Sequence, residues 1–319
     1  MKACVDIGGT KIAVCLSPDD GVGPDGLPLL QHHRSASTPR TGPRDALALQ
    51  VIALVNSACA DAGIARESLA AVGVASCGPF VRVDGQIELV APNICGGIAG
   101  AARGLPIGLS NDWPSAPLQA PLQAALPRAR IENDAVAGLE AERRWGALQG
   151  LHHCAYVTWS TGVGVGLCVD GHVLHGKHGN AGHAGHMFVS DDDSGARCGC
   201  GNVGDVEALV AGSALPRRFG QDAAALMQAA EAGDAAALAT VDTLCRTLGR
   251  MLYNLTVTLD LERISLGGGV FWNHRHWLLP RLQAQIEGHF VALTAGVDLV
   301  PAGLGARVGD YAALALVTD

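Results

Sequence analysis

The sequence predicts an α/β protein of two domains, and three observations support this prediction. At 319 residues, the chain is longer than a single hydrophobic core usually accommodates. An apolar strand over 2–7, a helical pattern over 45–63 and another apolar strand over 70–76 follow one another as in an α/β layer structure. Glycine-rich turns at 8–10 and 160–164 each lie between two apolar strands. This repetition is what duplicated domains that hold one ligand from both sides would show.

The composition describes a compact globular protein and limits its partners. Apolar residues make up 49% of the chain and charged residues 16%, with 42 glycines. The net charge of -8 gives no overall attraction to nucleic acid or to anionic membranes. A phosphorylated ligand would therefore need local positive potential from backbone amides, lysines or metal ions. The ten cysteines lack the paired spacing of a small secreted scaffold, and we expect them to be reduced.

No segment has the pattern of a signal peptide, and no apolar run approaches the length of a membrane-spanning helix. We therefore expect a cytoplasmic protein without a membrane partner. No basic recognition helix is present either, so we expect no nucleic-acid partner.

The first glycine-rich turn has groups suited to phosphate. Gly8 and Gly9 let the backbone amides approach an anion, and Thr10 and Lys11 add donors. Asp6, just before the turn, is placed to hold Mg²⁺ or its water. On these residues alone, an ordinary hairpin turn is the better explanation. The chain has no GxxxxGK[ST] motif, which excludes a P-loop.

The second glycine-rich turn repeats this chemistry with hydroxyls and glycines. Thr161, Gly162 and Gly164 are the corresponding candidates for phosphate binding. A strand rather than a helix follows them, which excludes a dinucleotide-binding fingerprint.

A step from strand to helix at 129–148 carries the candidate catalytic acid. Asn133 is a candidate N-cap, and Asp134 falls in the first helical turn, where the helix dipole favours the ionised carboxylate. A carboxylate so placed can accept the proton of an alcohol during phosphoryl transfer. An Asn-Asp pair before a helix is also a common cap, and alone it favours that simpler interpretation.

The segment 179–207 holds several potential metal ligands and acids. They are His183, His186, Cys198, Cys200, Asp205 and Glu207. Two thiolates and an imidazole suit tetrahedral zinc. The spacing alone favours neither a zinc site nor a loop with two buried, reduced cysteines.

Taken together, these motifs resemble the ROK family of sugar kinases and sugar-responsive repressors. DIGGTK at 6–11 and STGVGVG at 160–166 are similar to phosphate motifs of the wider actin-like superfamily. The END step at 132–134 and the GHAGH and CGCG elements within 182–201 make the narrower resemblance. It covers almost the whole chain. It implies an α/β two-domain actin-like ATPase (ribonuclease H-like) fold of the sugar kinase type, with an interdomain active-site cleft.

The resemblance also implies roles for individual residues. Asp134 would be the general base. The implied sugar-binding residues are Gly78, Asn93, Asn133, Asp134, His183, His186 and Glu207. The residues implied for ATP and Mg²⁺ are Asp6, Gly8, Gly9, Thr10, Lys11, Thr161, Gly162, Gly164, Gly268 and Gly269. A turn after Pro92 explains Asn93 equally well. A packing turn between strand and helix is an equal alternative for Gly268 and Gly269.

In the family, the second histidine of the GHxGH element and three cysteines hold a structural zinc ion. The resemblance thus implies His186, Cys198 and Cys200 as ligands, while Asp205 stands where the third cysteine is expected. A carboxylate oxygen is an accepted zinc ligand and keeps the formal charge of the site unchanged. We expect zinc with Asp205 as the fourth ligand. The alternative is a metal-free loop in which Asp205 binds loop amides.

We expect an N-terminal domain of 1–117 plus 303–319 and a C-terminal domain of 118–302. The Ala- and Leu-rich pattern over 206–260 predicts two or three helices. The resemblance implies that the last helix packs back onto the N-terminal domain. The implied reaction is transfer of the ATP γ-phosphoryl group to the 6-hydroxyl of a hexose or N-acylhexosamine. His183 occupies a position where glucokinases of the family carry Glu, and this resembles bacterial N-acetylmannosamine kinases. N-acetylmannosamine is therefore favoured over glucose or fructose, although His183 could equally be a packing residue.

Two further alternatives concern the whole protein. A non-catalytic sugar-binding regulator is the remote one, because Asp134 and the phosphate-turn glycines are all present. The insertion at 96–121 is either a lid or an oligomer contact. We expect a homodimer or homotetramer whose partners are a sugar and ATP.

Overall fold

The computed structural model describes residues 1–97, 109–126, 128–191 and 195–318. Much of the insertion predicted at 96–121 therefore lies outside the described residues. The chain is α/β, as predicted, and divides into two compact units. The first unit comprises Met1–Ala141, His175–Ala181 and Arg307–Asp319, and the second comprises Glu142–Leu174 and Gly182–Ala306.

The first unit is built on a five-stranded sheet and a smaller three-stranded one. Its strands are β1 (Lys2–Ile7), β2 (Lys11–Ser17), β3 (Gln31–Ser37), β4 (Ala71–Ser76), β5 (Phe80–Val83), β6 (Gln86–Leu89), β7 (Ala116–Pro117) and β8 (Ala129–Asn133). The larger sheet has the order β3-β2-β1-β4-β8. β2 is antiparallel to β1 and β3, whereas β4 and β8 run parallel to β1.

Helices cover both faces of this sheet. The first three helices of the chain are α1 (Ala46–Asp61), α2 (Gln119–Ala125) and α3 (Asp134–Trp145). Alternate residues of β1, such as Val5 and Ile7, are buried in the core that α1 shares. The opposite face of the sheet packs against the C-terminal helix, described below. Burial on both faces explains why β1 and β4 read as almost continuous apolar runs.

The second unit repeats the same strand arrangement. Its strands are β9 (Cys154–Trp159), β10 (Val163–Val169), β11 (His172–Val173), β12 (Arg263–Gly267) and β13 (Asp298–Pro301). Their order is β11-β10-β9-β12-β13, with β10 antiparallel to β9 and β12 parallel to it. Each unit therefore carries a glycine-rich turn in its first hairpin, β1–β2 or β9–β10. The expected duplication is present at the level of topology.

The helices of the second unit are more numerous than the sequence suggested. We expected two or three over 206–260, and the structure has α4 (Val206–Val210), α5 (Leu215–Phe219), α6 (Ala223–Glu231) and α7 (Ala235–Leu259). The side chains of Asp222 and Asp234 cap α6 and α7 by accepting backbone N–H groups. Gly220 ends α5 in a left-handed conformation. These caps divide an apparently continuous Ala- and Leu-rich pattern.

The last helices follow β12 and β13. They are α8 (Gly269–Trp272), α9 (Arg275–Glu287), α10 (Val291–Thr294) and α11 (Val308–Ala315). α11 returns to the first unit and packs on β1 and β4, as predicted. It lies so close that a Cβ on Gly73 of β4 would come within 1.8 Å of the Ala313 carbonyl oxygen. Only glycine fits at position 73.

The division into units differs from the boundaries we expected. The first unit does not end at residue 117, because β8 pairs with β4 and α3 begins directly after β8. At the other end, the return to the first unit occurs at Arg307 rather than at 303. All ten cysteines are free thiols. Among the described residues, no helix combines the length and apolar character needed to cross a bilayer.

Glu142, in the last turns of α3, is a fully buried carboxylate that holds the second unit together. It accepts hydrogen bonds from the Ser265 hydroxyl at 2.9 Å and from the backbone N–H of Ala147 at 3.0 Å. The backbone N–H groups of Gly303 and Leu304 also donate to it, at 2.8 and 2.9 Å. One carboxylate thus satisfies donors from α3, β12 and the segment after β13.

We predict that Glu142→Ala lowers the free energy of unfolding by about 3 kcal/mol or more, because four donors, of which those of Ser265 and Leu304 are buried, lose their acceptor. Urea denaturation monitored by circular dichroism measures this. Glu287→Ala is the matched control. Glu287 is exposed, so its loss should change stability by less than ~0.5 kcal/mol. Equal stabilities for the two variants would contradict a structural role for Glu142.

Candidate functional site

The carboxyl ends of three parallel strands bring the predicted acids of the first unit together. β1, β4 and β8 pair in register, so that Ile7 lies beside Ser76 and Ser76 lies beside Asn133. The segments that leave these strands are the turn 8–10, the stretch from Cys77 to Pro79 and the start of α3. Ligands of open α/β sheets bind at this edge. Asp6, Gly78 and Asp134, far apart in sequence, therefore share one region.

Two carboxylates at this edge have raised pKa values. Burial raises the pKa of Asp134 to about 7, and the negative charge of Asp6 adds to the shift. Burial also raises the pKa of Asp6 to about 6; Asp310 on α11 raises it further, and the positive charge of Lys11 opposes this. The pKa of the Cys77 thiol is raised as well, by burial and then by both carboxylates. This edge is electronegative, and Asp134 titrates near neutral pH.

Asn133 caps α3, as its sequence context suggested. Its Oδ1 accepts hydrogen bonds from the backbone N–H of Ala135 at 3.0 Å and of Val136 at 3.3 Å. Its side chain also hydrogen-bonds to the Asp134 carboxylate and thereby partly offsets the raised pKa of that group. Asn133 thus fixes both the start of the helix and the orientation of the acid beside it.

The first glycine-rich turn is held by its carbonyl groups. The Thr38 hydroxyl donates to the Gly8 carbonyl at 2.7 Å, and the Thr38 backbone N–H donates to the Thr10 carbonyl at 3.0 Å. Arg40 Nη2 donates to the Gly9 carbonyl at 3.4 Å. Within the described chain, the backbone N–H groups of Gly9 and Thr10 have no such partner. Amides left available in a turn of this kind suit an anion.

Asn93 lies directly against this turn. A Cβ on Gly9 would come within 1.9 Å of Asn93 Nδ2, so a side chain at position 9 would require Asn93 to move. Asn93 is an exposed residue in a turn after Pro92. Both interpretations of Asn93 are therefore compatible with its position beside the first glycine-rich turn.

The second glycine-rich turn, in the second unit, is held in the same way. The backbone N–H of Gly212 donates to the Ser160 carbonyl at 2.9 Å. Ser213 donates to the Thr161 carbonyl from its backbone N–H at 3.1 Å and from its hydroxyl at 2.8 Å. Gly164 follows within β10, opposite Thr158. In both units, a neighbouring segment fixes the carbonyls of the turn.

Glu207 connects this turn to the cysteine-containing loop. Its Oε2 accepts a hydrogen bond from the Val163 backbone N–H at 3.0 Å, and the Cys198 thiol donates to its Oε1 at 3.4 Å. A Cβ on Gly162 would come within 2.7 Å of the same Oε2. The predicted sugar ligand and a predicted phosphate-turn residue are thus neighbours in the second unit.

The glycines of the GHAGH element let it lie on β10. A Cβ on Gly182, whose φ is +86°, would come within 2.1 Å of the Val165 carbonyl oxygen. A Cβ on Gly185 would come within 2.3 Å of the Val163 carbonyl oxygen. This close approach orients the two histidines that alternate with these glycines.

His183 is a partly buried imidazole in an unusual environment. Its ring stacks on that of His186, with the centroids 6.0 Å apart. Burial lowers the pKa of His183, and the neighbouring His186 lowers it further, so the ring is neutral. Its Nε2 is buried without a hydrogen-bond partner in the part of the chain that the structure describes. A buried polar atom without a partner needs a ligand or water.

Four side chains form a candidate metal centre: His186, Cys198, Cys200 and Asp205, whose ligand atoms all lie within 4.8 Å of one another. His186 Nδ1 lies 3.0 Å from Asp205 Oδ2 and 3.6 Å from each thiol sulfur. Cys200 Sγ lies 3.7 Å from Asp205 Oδ2. Zinc with ligands at 2.0–2.3 Å has edges of about 3.3–3.8 Å between them. The cluster has nearly these dimensions before any ion is added.

The two oxygens of Asp205 have separate partners. Oδ1 accepts the Ala208 backbone N–H at 2.7 Å and caps α4, while Oδ2 faces His186 and Cys200. The pKa of His186 is raised to about 10 by its hydrogen bonds to Asp205 and Cys200. Burial alone would raise the pKa of Asp205, but the hydrogen bond with His186 keeps it below its ordinary value. The cluster therefore stabilises a positive charge at its centre, from a proton or a cation.

Gly268 and Gly269, which the resemblance implies as nucleotide-binding residues, have different surroundings. Gly268 has a φ of +87°, and a Cβ there would come within 2.4 Å of the Trp159 carbonyl oxygen. This contact favours the alternative interpretation of Gly268, in which the glycine is needed for packing. A Cβ on Gly269, at the start of α8, would meet open space. Gly269 is thus the residue of the pair that a ligand can approach.

Comparison with known proteins identifies the family. The chain matches the ROK family over residues 2–319. The protein belongs to the ROK family. It is 30% identical over 279 residues to a glucokinase of Aeropyrum pernix, covering 80% of this chain and 81% of that protein. It is 31% identical over 274 residues to an N-acetylmannosamine kinase of Escherichia coli, covering 83% and 82%.

Solved structures of the ROK family confirm the actin-like ATPase fold expected from the sequence. A ROK hexokinase from Thermus thermophilus superposes with a TM-score of 0.74 at 31% identity, covering 98% of this chain and 96% of that one. A ROK glucokinase from Streptomyces griseus, solved with glucose and AMPPNP, gives a TM-score of 0.65 at 25% identity, covering 98% and 97%.

The structure also shows residues of this ROK protein that sequence reasoning missed. Thr38 and Arg40 bind the carbonyl groups of the first glycine-rich turn, although nothing in the Thr-Pro-Arg sequence signals this. Asn180 binds both backbone groups of Phe80, at 2.8 and 2.7 Å. His175 Nδ1 pairs with Glu132 Oε2 at 2.9 Å, directly before Asn133. All of these contacts join distant parts of the chain, so local patterns could not reveal them.

Proposed function

We propose that this protein is an ATP-dependent sugar kinase that phosphorylates the 6-hydroxyl of a hexose or N-acylhexosamine. The observation that carries the proposal is Asp134, a carboxylate with a pKa near 7 at the carboxyl edge of the sheet, beside Asp6 and a glycine-rich turn. The names of the A. pernix and E. coli relatives support a sugar kinase. A general base works best when its pKa lies near the operating pH.

In the proposed reaction, Asp134 accepts the proton of the sugar hydroxyl as the phosphoryl group transfers. Asn133 orients that carboxylate, and its capping bonds fix the backbone from which it extends. The backbone amides of the two glycine-rich turns bind phosphate oxygens. Asp6 offers a hard oxygen ligand for Mg²⁺, which when bound would neutralise charge on the phosphates.

Asp134→Asn should lower turnover by about two to four orders of magnitude, the usual contribution of a positioned base. Sugar and ATP binding should change little, because the amide has nearly the same shape. In the wild type, kcat/KM should fall as the pH drops below about 7, since protonated Asp134 cannot accept a proton. A coupled ADP-release assay across pH measures both effects.

The control is Asp20→Asn, which removes one exposed carboxylate from the loop after β2. This variant should keep full activity. Near wild-type turnover of Asp134→Asn on the best sugar would refute the assignment of the base.

For the substrate, we propose an N-acylhexosamine, with N-acetylmannosamine favoured. The buried, unpaired Nε2 of His183 supports this within the described residues, because a neutral imidazole can donate a hydrogen bond to a carbonyl oxygen. Glucose is the second candidate. The similar identity to the A. pernix glucokinase supports it as much as the E. coli relative supports N-acetylmannosamine.

His183→Glu should shift the ratio of kcat/KM values from N-acetylmannosamine toward glucose by about tenfold to a hundredfold, since a carboxylate accepts hydroxyl protons but repels a carbonyl oxygen. An assay across glucose, mannose, fructose, N-acetylglucosamine and N-acetylmannosamine gives the ratio. His178→Glu changes an exposed histidine nearby in sequence and should leave it unchanged. An unchanged ratio for His183→Glu would make His183 a packing residue.

We also propose that His186, Cys198, Cys200 and Asp205 bind a structural zinc ion. The ligand spacing supports this, as does the donor set of two thiols, an imidazole and a carboxylate oxygen. The alternative is a metal-free loop in which Asp205 binds loop amides. The hydrogen bond from the Ala208 backbone N–H to Asp205 Oδ1 is of the kind that this alternative requires. That bond leaves Oδ2 facing His186, Cys200 and the Asn202 side-chain amide, so it is compatible with either state.

Protein purified without chelator should contain about one zinc per chain by elemental analysis, as expected for a closed four-ligand site. The content should fall in Asp205→Ala, because one ligand is lost, and persist in Asp205→Cys. Zinc should be released at a higher pH than from a Cys₃His site, because a carboxylate is the harder ligand. A metal-free, fully active preparation with titratable Cys198 and Cys200 would refute the site.

A further inference from the structure

Arg40 is a cation placed at the first glycine-rich turn. β3 ends at Ser37, and the following residues run alongside the turn, where Thr38 and Arg40 bind its carbonyl groups. The Arg40 guanidinium reaches the Gly9 carbonyl through Nη2 at 3.4 Å while the residue remains exposed. Its long side chain can therefore turn toward a ligand bound at the turn without breaking a strong contact.

The backbone of Arg40 is fixed, although its side chain is exposed. Asn111 Nδ2 donates to the Arg40 carbonyl at 3.0 Å and to the Ile94 carbonyl at 2.9 Å. Asn111 Oδ1 accepts the backbone N–H of Gly96 at 2.8 Å and of Trp113 at 3.2 Å. One side-chain amide thus joins Arg40 to the loop whose Asn93 contacts Gly9. This amide fixes the backbone from which the Arg40 side chain extends beside the turn.

The ion pairs around Arg40 distinguish it from its neighbours. Arg34 pairs with Asp61, and Arg44 pairs with Glu88 at 2.8 Å. Arg40, between them in sequence, has no carboxylate partner among the residues that the structure describes. An arginine that is held in place and left without an anion is suited to an anionic ligand.

The groups around the turn carry mostly negative charge. Asp6, Asp134 and Asp310 make this edge electronegative: the charge of Asp310 raises the pKa of Asp6, and the charge of Asp6 raises the pKa of Asp134. The whole chain carries a net charge of -8. The positive charge of Lys11 acts on Asp6, whose pKa it lowers. A polyphosphate that approaches this edge therefore meets repulsion, and Arg40 is the side chain at the turn whose charge is not committed to a carboxylate of the described chain.

We propose that Arg40 binds the polyphosphate chain of the nucleotide, as the side-chain cation of the first phosphate turn. This inference rests on the proposed kinase function and names a binding residue for it. The guanidinium fork can bind two phosphate oxygens at once, which a lysine cannot match. The amides of the turn and the Arg40 side chain would then contact the same anion from two directions.

Arg40→Met tests the proposal with tripolyphosphate and adenosine as separate probes. Tripolyphosphate inhibition and the KM for ATP should weaken by about tenfold to a hundredfold, as for lost hydrogen bonds to a charged group. Adenosine inhibition and the KM for the sugar should not change. Arg40→Lys should recover part of the loss, and salt should affect Arg40→Met less than the wild type. Arg34→Met removes an exposed, ion-paired arginine of β3 and should match the wild type.

Tripolyphosphate inhibition of Arg40→Met equal to that of the wild type would overturn the proposal. Equal weakening of adenosine and tripolyphosphate would also overturn it, because that result indicates general damage to the site. A thermal shift on adding tripolyphosphate gives the same comparison without activity. If the wild type phosphorylates no sugar, the proposed kinase function fails, whereas the thermal shifts of wild type and Arg40→Met still decide the role of Arg40.

Discussion

The parallel pairing of β1, β4 and β8 is the constraint on which the first unit's site depends. It places the end of each strand at one edge and brings Asp6, Cys77 and Asp134 together from distant parts of the sequence. Helices on both faces of the sheet then bury these acids, and burial is the main cause of their raised pKa values. The fold therefore creates both the position of the acid and its capacity to exchange a proton near neutral pH.

In the second unit, close backbone approach has the equivalent role. Gly182 and Gly185 let the histidine-containing segment lie on β10, and Gly162 leaves room for the Glu207 carboxylate. Asp205 then closes the loop by capping α4 with one oxygen and facing the thiols with the other. Since the oxygen that caps α4 and the oxygen that faces the thiols belong to one side chain, the start of α4 and the shape of the cluster are coupled.

Local patterns in the sequence predicted much of the fold. β1, α1, β4 and the β8–α3 step occur where periodicity and turn residues placed them, because each is defined by its own residues. The helices over 206–260 were miscounted, since Asp222 and Asp234 divide an otherwise uniform pattern through single capping bonds. Arg40 and Asn111 were missed for a different reason. Their roles arise from hydrogen bonds between residues more than 30 positions apart, which no local pattern records.

The two carboxylates of the first unit connect nucleotide binding to the proposed chemistry. Asp6 raises the pKa of Asp134 because its negative charge disfavours a second one nearby. Neutralisation of Asp6 by a cation would remove that repulsion, so the pKa of Asp134 would fall toward the value that its burial and hydrogen bonds set. In the proposed reaction, a cation that arrives with the nucleotide would therefore increase the ionised fraction of Asp134, which is the form that accepts a proton. Lys11 already opposes the effect of Asp310 on Asp6. Under the proposed function, the electronegative edge thus disfavours a bare polyphosphate and favours one that brings its own cation.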